Sequence, residues 1–159
     1  MKFLRFLGRH SSVILTIIWV AIAALAIATP LLVHVSRQAG VIGYSILRPL
    51  CHQASERSFH IAGYKMGLCA RCSGLFIGLS VFGIAALIIR PARKIPFYLF
   101  VLTLAVFAAD GIGNLFGLWN TGNILRFATG LVCAFGIVFW IYPIIFMLER
   151  GDYPLKGNE

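Results

Sequence analysis

The sequence predicts an all-α fold: a polytopic membrane protein in which four transmembrane helices form a bundle, with an outer Cys/His-containing segment between helices 1 and 2. First, 60% of the 159 residues are hydrophobic and only 12% are charged, whereas soluble domains have about 45–50% and about 25%. Second, four apolar runs approach the roughly 20 residues that a membrane-spanning helix needs. Third, one polar stretch, residues 36–72, holds three of the four cysteines.

The four helices are predicted at residues 11–35, 68–89, 95–118 and 124–148, within a single membrane domain, residues 1–159. The first run extends to about 24 residues, well beyond the 7–15 of a signal-peptide core, which favours a retained helix. Pro91 and Pro96 bracket a basic turn between the second and third runs, and residues 119–123 form another tight turn.

The positive charges predict the orientation. With both termini cytoplasmic, the inner face holds eight Lys and Arg residues and the outer face six, which is the direction of the positive-inside rule. The chain has little polar surface on which to present a basic face, so its net charge of +9 favours anionic lipid over nucleic acid as a partner. We therefore expect a multi-pass protein of the cell membrane, in contact with membrane lipid and of undetermined oligomeric state.

The outer segment, residues 36–72, concentrates the reactive side chains. Cys51, His52, Cys69 and Cys72 place three thiols and one imidazole within 22 residues, a ligand set that suits tetrahedral Zn²⁺. Thiolates also suit iron or Cu(I), so zinc is expected with another thiophilic metal as the alternative. A redox pair stays open, since Arg71 and the start of a helix both favour a thiolate. A structural disulfide also stays open.

Asp110 is the only carboxylate inside the predicted helices, where an acidic side chain costs about 2.5–3.5 kcal/mol. Asn114 shares its helix face, and Arg126 starts the next helix, so an Asp110–Arg126 ion pair across the turn is expected. We predict that both charges face the bundle interior and open onto the cavity of the cysteines, with catalytic roles. The alternative is that the pair is a structural clamp.

Several motifs resemble those of one known family. They are Cys51-His52-Gln53, Glu56-Arg57-Ser58-Phe59, Leu68-Cys69-Ala70-Arg71-Cys72-Ser73-Gly74 with Gly78, Asp110-Gly111, and Asn123-Ile124-Leu125-Arg126 with Thr129-Gly130. Over roughly residues 45–135 they are similar to the prokaryotic predicted membrane proteins grouped as DUF2085. The resemblance implies a small polytopic membrane protein whose matched polar residues form one site, and it implies no reaction. Supporting residues are expected at Gln53, Arg57, Arg71, Asn114 and Asn123, although Asn114 stands where the family pattern leads us to expect Gln.

Three functions stay open. The first is a metal-dependent membrane enzyme, with Asp110 as acid/base and Arg126 as a clamp for a lipid head group or phosphate. The second is a thiol–disulfide oxidoreductase coupled to a quinone, on a four-helix plan that resembles the vitamin K epoxide reductase family in outline only. The third is a non-enzymatic metal carrier or assembly factor. For a shared ion, the cysteine sulfurs have to lie within about 4 Å of one another.

Overall fold

The computed structural model describes residues 10–150 of the chain. Within them lie five α-helices: α1 (Ser11–Val35), α2 (Arg37–Leu47), α3 (Ala70–Ile89), α4 (Phe97–Leu115) and α5 (Asn123–Arg150). Two 3₁₀ turns, Arg48–Leu50 and Ser55–Arg57, and an antiparallel hairpin of β1 (His60–Ile61) and β2 (Tyr64–Lys65) lie between α2 and α3. Four of the helices, α1, α3, α4 and α5, are long and apolar enough to span a membrane. The predicted all-α membrane bundle is confirmed.

The ends of the helices differ from the prediction where local backbone chemistry intervenes. Helix α4 starts after Pro96, its N-cap, since proline cannot donate into a helix ladder. It ends before Gly117, whose φ of +69° is left-handed, and the Leu118 N–H donates to the Gly113 carbonyl at 2.9 Å. This is the Schellman arrangement that closes a helix, so α4 is shorter at both ends than the predicted 95–118.

Helix α2 was not predicted from the hydrophobic pattern, which left residues 37–47 inside the polar segment. Its 11 residues are too few to span a bilayer, and Gly40 and Gly43 lower its helix propensity. The structure explains both glycines by close packing on α1. A Cβ on Gly40 would lie 3.1 Å from the Val33 Cα, and one on Gly43 would lie 2.8 Å from the Thr29 Oγ1.

Helices α3 and α5 form the centre of the bundle. A Cβ on Gly130 would lie 2.7 Å from the Leu75 backbone nitrogen, and one on Gly74 would meet the Phe127 carbonyl. Small residues therefore let the two backbones touch, as at close helix crossings in membranes. Helix α1 packs on α3, and α4 packs on α5. Helix α4 does not pack extensively on α3, which leaves space between them.

The connecting segment, residues 36–69, folds back over one end of the bundle. The Gly67 N–H donates to the Ala26 carbonyl of α1 at 3.0 Å. The Gln53 side-chain amide donates to the Tyr44 and Gly67 carbonyls at 2.8 and 2.9 Å, and Lys65 Nζ donates to the Gln53 carbonyl at 2.6 Å. These bonds hold the segment together and against α1, next to the start of α3 where the cysteines lie.

A candidate metal centre beside a cationic cavity

Three cysteine sulfurs meet at the start of α3. The Sγ atoms of Cys51, Cys69 and Cys72 all lie within 4.8 Å of one another. Cys69 is the N-cap of α3 and Cys72 lies in its first turn, while Cys51 follows the 3₁₀ turn Arg48–Leu50. Sulfurs around a tetrahedral ion at about 2.3 Å are about 4 Å apart, so a small contraction fits these three to a thiophilic ion. The expectation that the three cysteines lie close together is confirmed.

Neighbouring thiols and backbone N–H groups stabilise a thiolate at Cys51. The thiols of Cys69 and Cys72, followed by the backbone N–H groups of Cys69 and Gln53, lower the pKa of Cys51 below its usual range, against the opposing effect of burial. The two N–H donors lie 3.2 and 3.4 Å from the Cys51 Sγ. Hydrogen bonding with Cys51 raises the pKa of Cys69. Both shifts favour a thiolate at Cys51, the form that binds metals and attacks disulfides.

His52, the fourth predicted ligand, lies outside this group. Its side chain is exposed, and the described ligand atoms that come together are the three sulfurs. The physical reason is the extended backbone of Cys51, with φ −159° and ψ 142°, because successive side chains of an extended chain point to opposite sides. His52 lines the cavity beside the cysteines, and Cys133 is buried among the packing residues of α5.

Asp110 is buried, and both of its carboxylate oxygens are engaged. Arg71 Nη2 lies 2.6 Å from Oδ2, and Arg71 Nε donates to the same oxygen at 2.9 Å. Thr121 Oγ1 and Asn114 Nδ2 donate to Oδ1 at 2.8 and 2.9 Å. The expected Asp110–Arg126 ion pair is therefore wrong for the described residues: Asp110 pairs with Arg71 instead, because Arg71 reaches across from the first turn of α3.

Arg126 is surrounded by amide oxygens. Its Nη2 donates to the Asn114 Oδ1 at 2.8 Å and to the Asn120 Oδ1 at 2.9 Å, and its Nη1 donates to the Asn123 Oδ1 at 3.4 Å. The residue is only 5% exposed. Its Nε has no hydrogen-bond partner, and across residues 10–150 no carboxylate lies within ion-pair distance of it. Asn114 thus separates Asp110 from Arg126 and hydrogen-bonds to both.

A cavity of about 590 Å³ joins these groups. Its polar lining comprises the three clustered cysteines together with His52, Arg57, Arg71 and Arg126. Its apolar wall comes from α4 and includes Phe107, Ile112 and Leu115. Asp110 does not line it, so the prediction that both charges open onto the cavity applies only to Arg126.

A second cavity of about 330 Å³ lies alongside the first and is more polar. Its lining residues are Glu56, Arg57, Asn114, Gly117, Trp119, Asn120 and Arg126. Arg57 and Arg126 line both cavities, so the two arginines stand where the cavities adjoin.

The remaining candidate residues support the site from outside. Gln53 ties the connecting segment together, and the Asn123 amide donates to the Ser58 carbonyl at 3.2 Å, which joins that segment to α5. Asn120 hydrogen-bonds to Arg126 and Thr121 to Asp110, although the sequence did not single out either residue. They lie in a turn, where an amide or a hydroxyl has no periodic pattern that would distinguish it from an ordinary turn residue.

Comparison with known proteins places this site in a family. The family model described as "Predicted membrane protein (DUF2085)" matches residues 51–140, a range that contains the three cysteines, Asp110 and Arg126. An uncharacterized protein of Methanocaldococcus jannaschii is 42% identical over 107 residues, 65% of this chain and 68% of that protein. Another, from Methanothermobacter thermautotrophicus, is 32% identical over 91 residues, 57% of this chain and 82% of that protein. No solved structure matches the chain. On these matches, the chain belongs to the DUF2085 family of predicted membrane proteins.

Proposed function

We propose that the protein is a metal-dependent membrane enzyme that binds zinc, or another thiophilic ion, through Cys51, Cys69 and Cys72 and acts on a phosphate-bearing lipid. The supporting observation is that the three cysteines and three arginines line one cavity. Three protein ligands with a fourth position left open is the arrangement of catalytic rather than structural zinc sites. Guanidinium groups suit phosphate in charge and geometry.

In this proposal, the residues around the cysteines have separate roles. A bound ion would supply Lewis acidity toward an oxygen of the substrate. Arg126 and Arg57 would hold the anionic group, while Phe107 and Ile112 would exclude water and contact an acyl chain. His52 is the side chain in the cavity of the type best suited to proton transfer.

Asp110 has a different role in this proposal from the acid/base role that the sequence favoured. Each of its oxygens already accepts at least two hydrogen bonds, among them both bonds from Arg71. A carboxylate so engaged has no free lone pair for a substrate proton. We propose that Asp110 positions Arg71 at the cavity wall.

Metal analysis of the detergent-purified protein tests the metal centre. We expect about one equivalent of zinc per chain, together with protection of the cluster thiols from titration until a chelator removes the metal. Cys51→Ser, Cys69→Ser and Cys72→Ser should each lose the metal. Cys133→Ser is the matched control, because Cys133 is buried in α5 away from the group. A Cys51→Ser protein that keeps its full zinc content would contradict the proposal.

The same thiols support a second candidate, a quinone-coupled thiol–disulfide oxidoreductase. The contacts that stabilise a Cys51 thiolate, and sulfur atoms that lie within 4.8 Å of one another, suit oxidation of two of these thiols to a disulfide by an electron acceptor. Two thiols would form one disulfide, and the two electrons and two protons released would reduce a quinone to a quinol. Addition of a short-chain quinone to metal-free protein should then remove two titratable thiols in Cys133→Ser and none in Cys51→Ser. An unchanged thiol count in both would exclude this candidate.

A further inference from the structure

We propose that Arg126 and Arg57 form a phosphate-binding site where the two cavities adjoin, and that the smaller cavity receives the polar head group of a lipid phosphodiester. The identity of the ligand as a substrate rests on the proposed function. The binding site itself rests on charge and cavity shape, which do not depend on a metal.

The first step of the argument is the charge of Arg126. The buried acid nearest to it in the network, Asp110, is already neutralised by Arg71 at 2.6 Å. Three neutral amides contact the Arg126 guanidinium, and its Nε stays without a partner. A buried charge without a counter-ion is unfavourable, and a guanidinium binds an anion best through two parallel N–H donors. An anion beside Arg126 would supply the counter-charge that the described residues do not provide.

The second step is the order of surfaces on either side of the arginines. On one side, the larger cavity has the apolar α4 wall, where Ile112 and Leu115 are 54% and 75% exposed. On the other side, the smaller cavity offers Asn114, Asn120 and Trp119. An amphiphile with its apolar chain, anionic junction and polar head in that order fits the two cavities and the arginines between them. Lipid phosphodiesters have this order.

The third step is the surroundings of Arg57, which completes the anion site. Its side chain is 45% exposed, and its ion-pair partner Glu56 is 75% exposed and 3.9 Å away. An ion pair with so long a separation and such exposed side chains contributes little to stability. The Arg57 guanidinium is therefore available to an anion. Glu56 lines only the smaller cavity, where its carboxylate can accept hydrogen bonds from hydroxyl or amine groups of a head group.

Thermal unfolding of the detergent-purified full chain tests this site with three probes. Dioctanoylphosphatidylglycerol should raise the melting temperature, whereas dioctanoylglycerol, which has the same chains and no phosphate, should leave it unchanged. Inorganic phosphate should act only at concentrations at least tenfold higher. Arg126→Gln should weaken phosphatidylglycerol binding at least tenfold and Arg57→Gln less. Arg37→Gln is the matched control, because Arg37 is exposed on α2 and lines neither of these cavities.

Each alternative outcome overturns a stated part. Equal stabilisation by dioctanoylglycerol, or unchanged phosphatidylglycerol binding by Arg126→Gln, would overturn the anion site. A full effect of inorganic phosphate at lipid concentrations would overturn the lipid assignment. If Arg126→Gln does not fold, Arg57→Gln decides between these outcomes. Lipid binding retained in a zinc-free Cys69→Ser protein would support the anion site even where the metal centre fails, and zinc binding without lipid binding would reject the anion site alone.

Discussion

At the scale of single residues, Arg71 connects the two halves of the candidate site. Its backbone lies between Cys69 and Cys72 in the first turn of α3, and its side chain forms the ion pair with Asp110 of α4. The Arg71 guanidinium also lies 5.9 Å from the centre of the Phe107 ring. The position of α4 at the cavity wall therefore depends on the same residue that separates the clustered cysteines.

Replacing Asp110 should show how much this ion pair stabilises the protein. We expect Asp110→Asn to lower the free energy of unfolding by about 3 kcal/mol, because it leaves the half-buried Arg71 without its counter-ion. Denaturant titration in mixed micelles measures the change. Glu56→Gln is the matched control, and its effect should stay below about 0.5 kcal/mol, since its ion pair is exposed.

A double-mutant cycle identifies the partner. Arg71→Gln combined with Asp110→Asn should be clearly less destabilising than the sum of the two single variants, since the pair is in direct contact. Arg126→Gln combined with Asp110→Asn should show weaker coupling, because Asn114 lies between the two charges. Additive effects for Arg71 and Asp110 would show that the observed ion pair does not form in the membrane protein.

At the scale of helices, the crossing of α3 and α5 sets the position of the cysteines. A Cβ on Gly130 would meet the carbonyl of Arg71 and lie 2.7 Å from the Leu75 nitrogen. Backbone atoms cannot move aside as a flexible side chain can, so this contact couples the packing of α5 to the first turn of α3.

Gly130→Ala should therefore destabilise the bundle and disturb the metal centre together. Overpacking of this kind costs about 1–3 kcal/mol, and the strain acts on the turn that contains Cys72. We expect a lower melting temperature and weaker zinc retention during chelator titration. Gly122→Ala is the matched control, since a Cβ there meets nothing within 4 Å. Equal behaviour of the two variants would contradict the proposed coupling.

The helices differ in how far the sequence predicts them. The four membrane helices follow from the length of their apolar runs, which is a local property of the chain. Helix α2 cannot be predicted in this way, because its stability comes from the close packing of Gly40 and Gly43 against α1. The cysteine cluster was predictable from ligand type and spacing. The choice of Arg71 over Arg126 as the partner of Asp110 was not, since only the relative placement of α3 and α4 decides which guanidinium reaches the carboxylate.

At the scale of the whole molecule, we expect an even number of spans to place the start of α1 and the end of α5 on the same side of the membrane. Four candidate spans lie within the described residues. We then expect the basic turn that follows α3 on that same side, and the connecting segment with the cysteines on the opposite side. By the positive-inside rule, we expect the basic side to face the cytoplasm.

Labelling of single cysteines in intact cells tests this orientation. In a chain whose own cysteines are replaced by serine, Ser55→Cys should react with a membrane-impermeant maleimide, because residue 55 is exposed in the connecting segment. Ala92→Cys is exposed in the basic turn and should react only after the cells are permeabilised. The reverse pattern would place the cysteines in the cytoplasm and would invert the proposed topology.

The order of the buried charges along the chain has a consequence for synthesis. Arg71 precedes Asp110 by 39 residues, so the cation is already present on α3 when α4 enters the membrane. Asn114, Asn120 and Asn123 likewise precede Arg126, whose charge they surround. A lone acidic side chain inside a membrane helix costs about 2.5–3.5 kcal/mol. In a chain inserted from its amino end, the cationic partner of Asp110 and the amide partners of Arg126 are therefore made first, so neither of these two charges has to enter lipid alone.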